Sequence, residues 1–281
     1  MRKFLIFLFL FVFLIVSLSF AQTKNVKLLG LVPAVDIGED EYGLTMVDGL
    51  FSITSFDEFP STDTFMVYSR WSGVGDHKVR IQVVDEENNV LGVDERDLSF
   101  VEDNNTYSFS HNFENIVFKD PGIYWIEAYL DEEKYQRIPL FVILKENYLD
   151  YAVEDNKPLL ILSTPALKVY DDEYGLQAIS GIFEYFGFDQ FPGKVDYFII
   201  SNTWYSGDGV YKQHIELLDP DKNIIYKSEP QDIETAPESI IALYDELQNI
   251  EFTKPGIYEV KVYLDEDLVL SYPIVVKELE E

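Results

Sequence analysis

The sequence contains no cysteine, only three histidines and three tryptophans, and its 21 Lys and Arg residues face 51 Asp and Glu residues. Each shortage excludes something. Without cysteine there is no disulfide framework, no thiol nucleophile, no cysteine-ligated zinc and no lipidated cysteine. A formal net charge of −30 removes the basic footprint that phosphate binding needs, so nucleic acid is excluded as a partner. Histidine chemistry is confined to His77, His111 and His214, and the chain carries no HExxH, no G-x-S-x-G and no P-loop. Ser72-Gly73-Val74-Gly75 lacks a following Lys-Thr and reads as a turn. Carboxylate pairs fit for glycoside hydrolysis carry no weight among 51 acids, since abundance alone brings some within reach. The expectation is a protein that is not an enzyme.

What is present argues for a folded, exported chain. At 47% hydrophobic and 15% aromatic residues it is too apolar for an acidic disordered tail. Arg2 and Lys3 precede an apolar run from Phe4 to Phe20, and Ser19-Phe20-Ala21 offers a small-residue cleavage site, so residues 1–21 read as a signal peptide. The same run lies at the short edge of a bilayer span, and membrane association is expected only if it stays uncleaved. Cleavage leaves 260 residues with 19 basic and 51 acidic side chains, a net charge of −32. The expected location is periplasmic or extracellular.

The chain repeats itself. Residues 33–60 align without gaps on 165–192 with 13 of 28 positions identical, and 115–132 align on 249–266 with 11 of 18 identical. Two tandem domains follow, 22–150 and 151–281, with a polar joint near 145–157 and an expected modest, flexible contact between them. Both copies read as β. Val79, Ile81 and Val83 alternate with polar neighbours, as do Tyr258, Val260, Val262 and Leu264. Asn88-Asn89 and Asp265-Glu266-Asp267 supply turns. Residues 238–248, the one stretch that competes as a helix, are read as strand because their counterparts lack helical pattern. Seven or eight short strands per copy with frequent turns predict an all-β protein of two antiparallel β-sandwiches.

Gly43-Leu44, Gly49-Leu50-Phe51, Phe59-Pro60, Pro121-Gly122-Ile123-Tyr124 and Pro139-Leu140-Phe141-Val142, with their second-copy equivalents, resemble a bacterial family of unknown function. The resemblance implies an Ig-like sandwich for each copy and implies no activity, because its landmarks are turn and core residues. An export signal and a tandem copy depart from the family's usual small, single-domain members.

Three sets of residues are candidates for function. Glu39-Asp40-Glu41 and Asp171-Asp172-Glu173 place three carboxylates in matching turns, a donor type suited to Ca²⁺, although EF-hand spacing is missing and solvated turns have the same composition. Trp71 and Trp204 occupy equivalent places and read as core. Trp125, whose counterpart is Glu259, falls on the outward phase of its strand with Tyr129, and Tyr263 takes the same phase in copy 2. Aromatics on an open sheet can stack on a sugar or seat a protein. The expected function is a non-catalytic envelope protein that binds another envelope or extracellular protein. The alternative is a carbohydrate-binding module, aided by calcium, that takes polysaccharide; no other cofactor is expected.

Overall fold

The computed structural model describes residues 26–145 and 157–279, apart from 174, 206, 208 and 236–239 and the side chains of 101–105 and 235. The expected signal peptide and most of the expected joint lie outside the described residues. Copy 1 comprises β1 (Lys27–Glu39), β2 (Thr45–Leu50), β3 (Ile53–Phe56), β4 (Ser61–Val84), β5 (Val90–Phe118), β6 (Gly122–Leu130) and β7 (Glu133–Leu144). Copy 2 comprises β8 (Leu159–Ala166), β9 (Lys168–Asp171), β10 (Gln177–Ile182), β11 (Tyr185–Phe188), β12 (Gly193–Tyr205), β13 (Gly209–Leu218), β14 (Ile224–Lys227), β15 (Gln231–Thr235), β16 (Ile240–Phe252), β17 (Gly256–Leu264) and β18 (Asp267–Glu278). Among the described residues no helix occurs, and residues 240–248 are strand.

Each copy is a two-sheet, Ig-like sandwich. In copy 1 the first sheet holds β2, β1, the first half of β4 and the second half of β5; the other holds the remaining halves of β4 and β5 with β6, β7 and β3. Copy 2 repeats this with β10, β8, β12 and β16 against β13, β14, β15, β17, β18 and β11. The pairing is antiparallel except at one place in each copy, where β3 runs parallel to β7 and β11 to β18. The expected turn at Ser72–Gly75 is corrected. Those residues lie within the 24-residue β4, where the register with β5 shifts between Gly73 and Gly75. Gly75 takes a positive φ of 88°, and this bulge bends one strand from the first sheet into the second.

Alternation fills the cores. Val79, Ile81 and Val83 lie beside Leu130, Ala128 and Ile126 on one inward face in copy 1, as Ile215 and Leu217 lie beside Val262 and Val260 in copy 2. Trp71 and Trp204 are fully buried, as their sequence positions imply.

The contact between copies is more extensive than the sequence suggests. β1 pairs with β8 at Gly30–Leu162, and β2 pairs with β10 around Val47–Ile179, so a twelve-stranded sheet runs through both copies. Each of those pairs joins repeat counterparts 132 positions apart, and antiparallel pairing of counterparts is what a two-fold axis requires. Gly30 lies on that axis for a steric reason: a Cβ there would stand 2.3 Å from Leu162 Cδ1. Ile161, Leu162, Ile179, Ile182, Ile199 and Tyr205 of copy 2 join the apolar cluster of copy 1, while Leu29 of copy 1 joins that of copy 2. Part of the burial of these side chains comes from the contact between copies, which makes it more apolar than a polar joint suggests.

A buried charge also crosses the boundary. Arg70 is 1% exposed, and its Nη2 lies 3.1 Å from Glu184 Oε2. Arg70 Nη1 donates to Thr164 Oγ1 at 2.8 Å, and Nη2 to the Phe183 carbonyl at 3.4 Å. Burial alone would lower the Arg70 pKa, but Glu184 and the Tyr68 and Tyr272 hydroxyls outweigh it and raise the pKa, keeping the guanidinium charged.

Candidate functional site

The outward face of β6 carries Trp125 and Tyr129, both half-buried. Between them Glu127 is buried, although its phase points away from the core. Gln82 Nε2 and the Tyr129 hydroxyl donate to Glu127 Oε2 at 2.9 and 2.8 Å, and the Lys134 ammonium donates to Oε1. Burial would push the Glu127 carboxyl up, but the bonds from Lys134, Tyr129 and Gln82 outweigh it and hold the carboxyl below its usual range. The aromatic rings are covered by cations. The Arg137 guanidinium sits 3.5 Å from the Trp125 ring centroid, and that of Arg80 sits 4.2 Å from the Tyr129 ring. A sugar stacking on these faces must displace a guanidinium, an attraction of about 0.5–1 kcal/mol for each ring because Arg137 is exposed and Arg80 partly so.

Tyr263 occupies the same outward phase in copy 2. Its ring stacks on His214 at 4.5 Å, and its hydroxyl donates to Glu216 Oε2 at 3.1 Å while Lys227 Nζ donates to Oε1 at 2.9 Å. Burial again raises the carboxyl and these two bonds outweigh it, leaving Glu216 low. Both copies therefore build a Tyr–carboxylate–Lys cluster. The carboxylate comes from β6 in copy 1 and from β13 in copy 2, where Glu216 takes the place of Gln82. The structure places Trp125 and Tyr129 on one sheet face and Tyr263 on the equivalent face of the other copy.

The acidic turns match one another closely. Asp40 Oδ1 accepts the N–H groups of Tyr42 and Leu44 at 2.9 and 3.0 Å, and Oδ2 accepts from Ser180 Oγ at 3.2 Å. Burial pushes the Asp40 carboxyl up, but the Leu44 and Tyr42 N–H groups and the Ser180 hydroxyl together outweigh it and hold it low. Asp172 Oδ1 accepts the Leu176 N–H at 2.8 Å. Glu39 and Asp171 end β1 and β9, Glu41 is exposed, and Glu173 follows in the second turn. The central aspartates close their own turns. Among the described residues no three His, Asp or Glu side chains are arranged to hold a metal ion.

A constellation the sequence reading missed lies inside copy 1. His111 Nδ1 is 2.8 Å from Asp94 Oδ2, and His111 Nε2 is 2.8 Å from Ser69 Oγ. This is the connectivity of a Ser–His–Asp triad, but Ser69 and His111 are fully buried and Trp71 Nε1 already donates to Ser69 Oγ at 3.1 Å. A triad serine needs an open approach for an acyl group and an oxyanion site beside it. Copy 2 replaces the set: Trp204 Nε1 donates to Gln213 Oε1 at 2.5 Å, and Gln213 and Gln231 donate to Asp245, the counterpart of His111. The shared feature is a hydrogen-bond acceptor for a buried indole. The sequence signal was the exchange of His111 for Asp245 at one repeat position.

Comparison with known proteins adds the following. A family model described as a family of unknown function (DUF6941) matches residues 36–143 and again 164–277. No curated protein matches the chain. Among solved structures, a chain titled "Biofilm associated protein - BSP domain" aligns over 92% of this chain at 9% identity and a TM-score of 0.22. This chain spans 31% of that one, and at such a TM-score the likeness carries no argument.

Proposed function

The chain belongs to that family of unknown function twice over, and from this premise we propose that it is an exported, non-catalytic envelope protein that works by contact with another protein. One observation carries the reading: the two copies are fused by a continuous sheet and a shared apolar cluster into a single body. Such a body offers a broad, preorganised surface, and preorganisation limits the entropy lost when a partner docks. The Ser69–His111–Asp94 set, buried at Ser69 and His111, serves the Trp71 indole, and the turn aspartates serve backbone N–H groups. The charge of −30 favours partners that are basic or bridged by divalent cations.

The test is a pull-down from solubilised envelope of the source cells, run with calcium and with chelator. One envelope protein retained in both conditions is the expected result. Retention of polysaccharide alone, lost on Trp125→Ala, would replace the reading with the carbohydrate module. Hydrolytic activity abolished by Ser69→Ala would make the protein an enzyme.

A further inference from the structure

Copy 2 lacks a stacked pair that copy 1 carries. In copy 1 the outer face beside Pro139 holds the stacked pair Trp125 and Arg137. In copy 2 the same places, beside Pro273, hold Glu259 and Ser271. Here an open depression of about 460 Å³ is lined by Ile257, Pro220 and Pro273. This is within the size range of small-molecule sites.

The rim carries the polar groups. Lys222 Nζ donates to Glu259 Oε2 at 2.9 Å, the Ser271 hydroxyl donates to Glu259 Oε1, and Lys27 Nζ donates to the Ser271 carbonyl at 2.5 Å. Lys27 belongs to β1, so the pocket is complete only when both copies are docked. Two ammonium groups against one carboxylate make a locally positive spot on a chain of net charge −30. A ligand that fits must bring an anionic group for the two lysines, hydroxyl donors for the Glu259 carboxylate, and a C–H face for the proline and isoleucine floor.

We propose that this pocket, between Lys27 of copy 1 and Lys222, Glu259 and Ser271 of copy 2, binds an acidic sugar unit, a hexuronate. The ligand carboxylate pairs with Lys27 and Lys222, ring hydroxyls donate to Glu259, and the ring lies on Pro220 and Pro273. This site is separate from the Trp125 face and stands independently of the protein-contact reading.

The experiment titrates the protein in its exported form with sodium glucuronate, with glucose and sodium acetate as controls, followed by calorimetry and by amide shifts at Ile257, Glu259 and Ser271. Saturable glucuronate binding is expected, with glucose and acetate each weaker by about tenfold or more, the loss of one charge-assisted set of bonds. Lys222→Ala weakens binding similarly, and Glu259→Trp, which restores the copy 1 residue, abolishes it. Glu259→Gln, which keeps shape and folding, weakens it in case the tryptophan variant misfolds. Equal affinity for glucose and glucuronate, no saturable binding, or full binding by a well-folded Glu259→Trp protein overturns the proposal. A polyuronate chain in a parallel arm distinguishes an internal unit of a polymer, bound as well as the monomer, from a free sugar acid.

Discussion

His111 illustrates how burial sets chemistry at the scale of one residue. Desolvation pushes its pKa below the ordinary 6.5, and the Asp94 carboxylate only partly opposes this, so the ring is held neutral in the fold. The unfolded chain takes up a proton below about 6.5 that the folded chain refuses, so this group lowers stability as pH falls through that value and has no effect above it. The urea midpoint is therefore expected to drop between pH 7 and pH 5, with a smaller drop in His111→Gln. A flat profile in the parent protein would mean that Asp94 dominates after all. The same burial encloses Ser69, whose Oγ accepts from the Trp71 indole at 3.1 Å.

At the scale of elements, the pairing of β2 with β10 contrasts two related contacts. On one side of the pseudo-axis Ser180 of β10 donates to Asp40. On the other, the counterpart of Ser180 is Asp48, which faces Asp172, Asp36 and Glu173, and its Oδ1 has no hydrogen-bond partner. Burial first, and then these neighbouring carboxylates, raise the Asp48 pKa above 3.8. A raised carboxyl favours the fold while protonated, below 3.8, and that contribution is lost as pH rises through the folded pKa. At pH 7 Asp48 therefore costs stability. Asp48→Ser, which copies the other side of the axis, is expected to stabilise by about 1 kcal/mol at pH 7 through a hydroxyl–carboxylate bond, with the gain shrinking in acid. Paired chemical denaturation at pH 7 and pH 4 checks this; destabilisation at pH 7 would show that Asp48 has a favourable partner.

For the whole molecule, the pseudo-two-fold junction joins the two sandwiches through one continuous sheet. Arg70 is the polar centre of that junction, tied to Glu184, Thr164 and the Phe183 carbonyl. Because Glu184 is 35% exposed, removing one partner costs less than the about 3–5 kcal/mol of a fully buried ion pair, and replacing both by apolar residues of similar volume is often close to neutral. Unfolding is expected as a single transition reported alike by Trp71 in copy 1 and Trp204 in copy 2. Arg70→Ala should lower that transition and split it into two, while Arg70→Met with Glu184→Met recovers most of the loss. Two transitions in the parent protein would show that the copies fold independently.

The repeat, the strand character of both copies, the inward phases at Val79–Val83 and Tyr258–Leu264, and the buried places of Trp71 and Trp204 are all legible in the amino-acid sequence. Those features rest on local periodicity and side-chain apolarity, and each can be read within a few neighbouring residues. The outward phase of Trp125, Tyr129 and Tyr263 was legible too, but not the Arg137, Arg80 and His214 groups that cover them, which come from other strands. The tertiary structure alone decided the continuous sheet through Gly30–Leu162, the burial of Arg70 against Glu184, the meeting of Ser69, Asp94 and His111, and the pocket at Glu259. The physical reason is shared: hydrogen bonds and ion pairs join residues far apart in the chain, and their partners exist only once the sheets have paired and the two copies have docked.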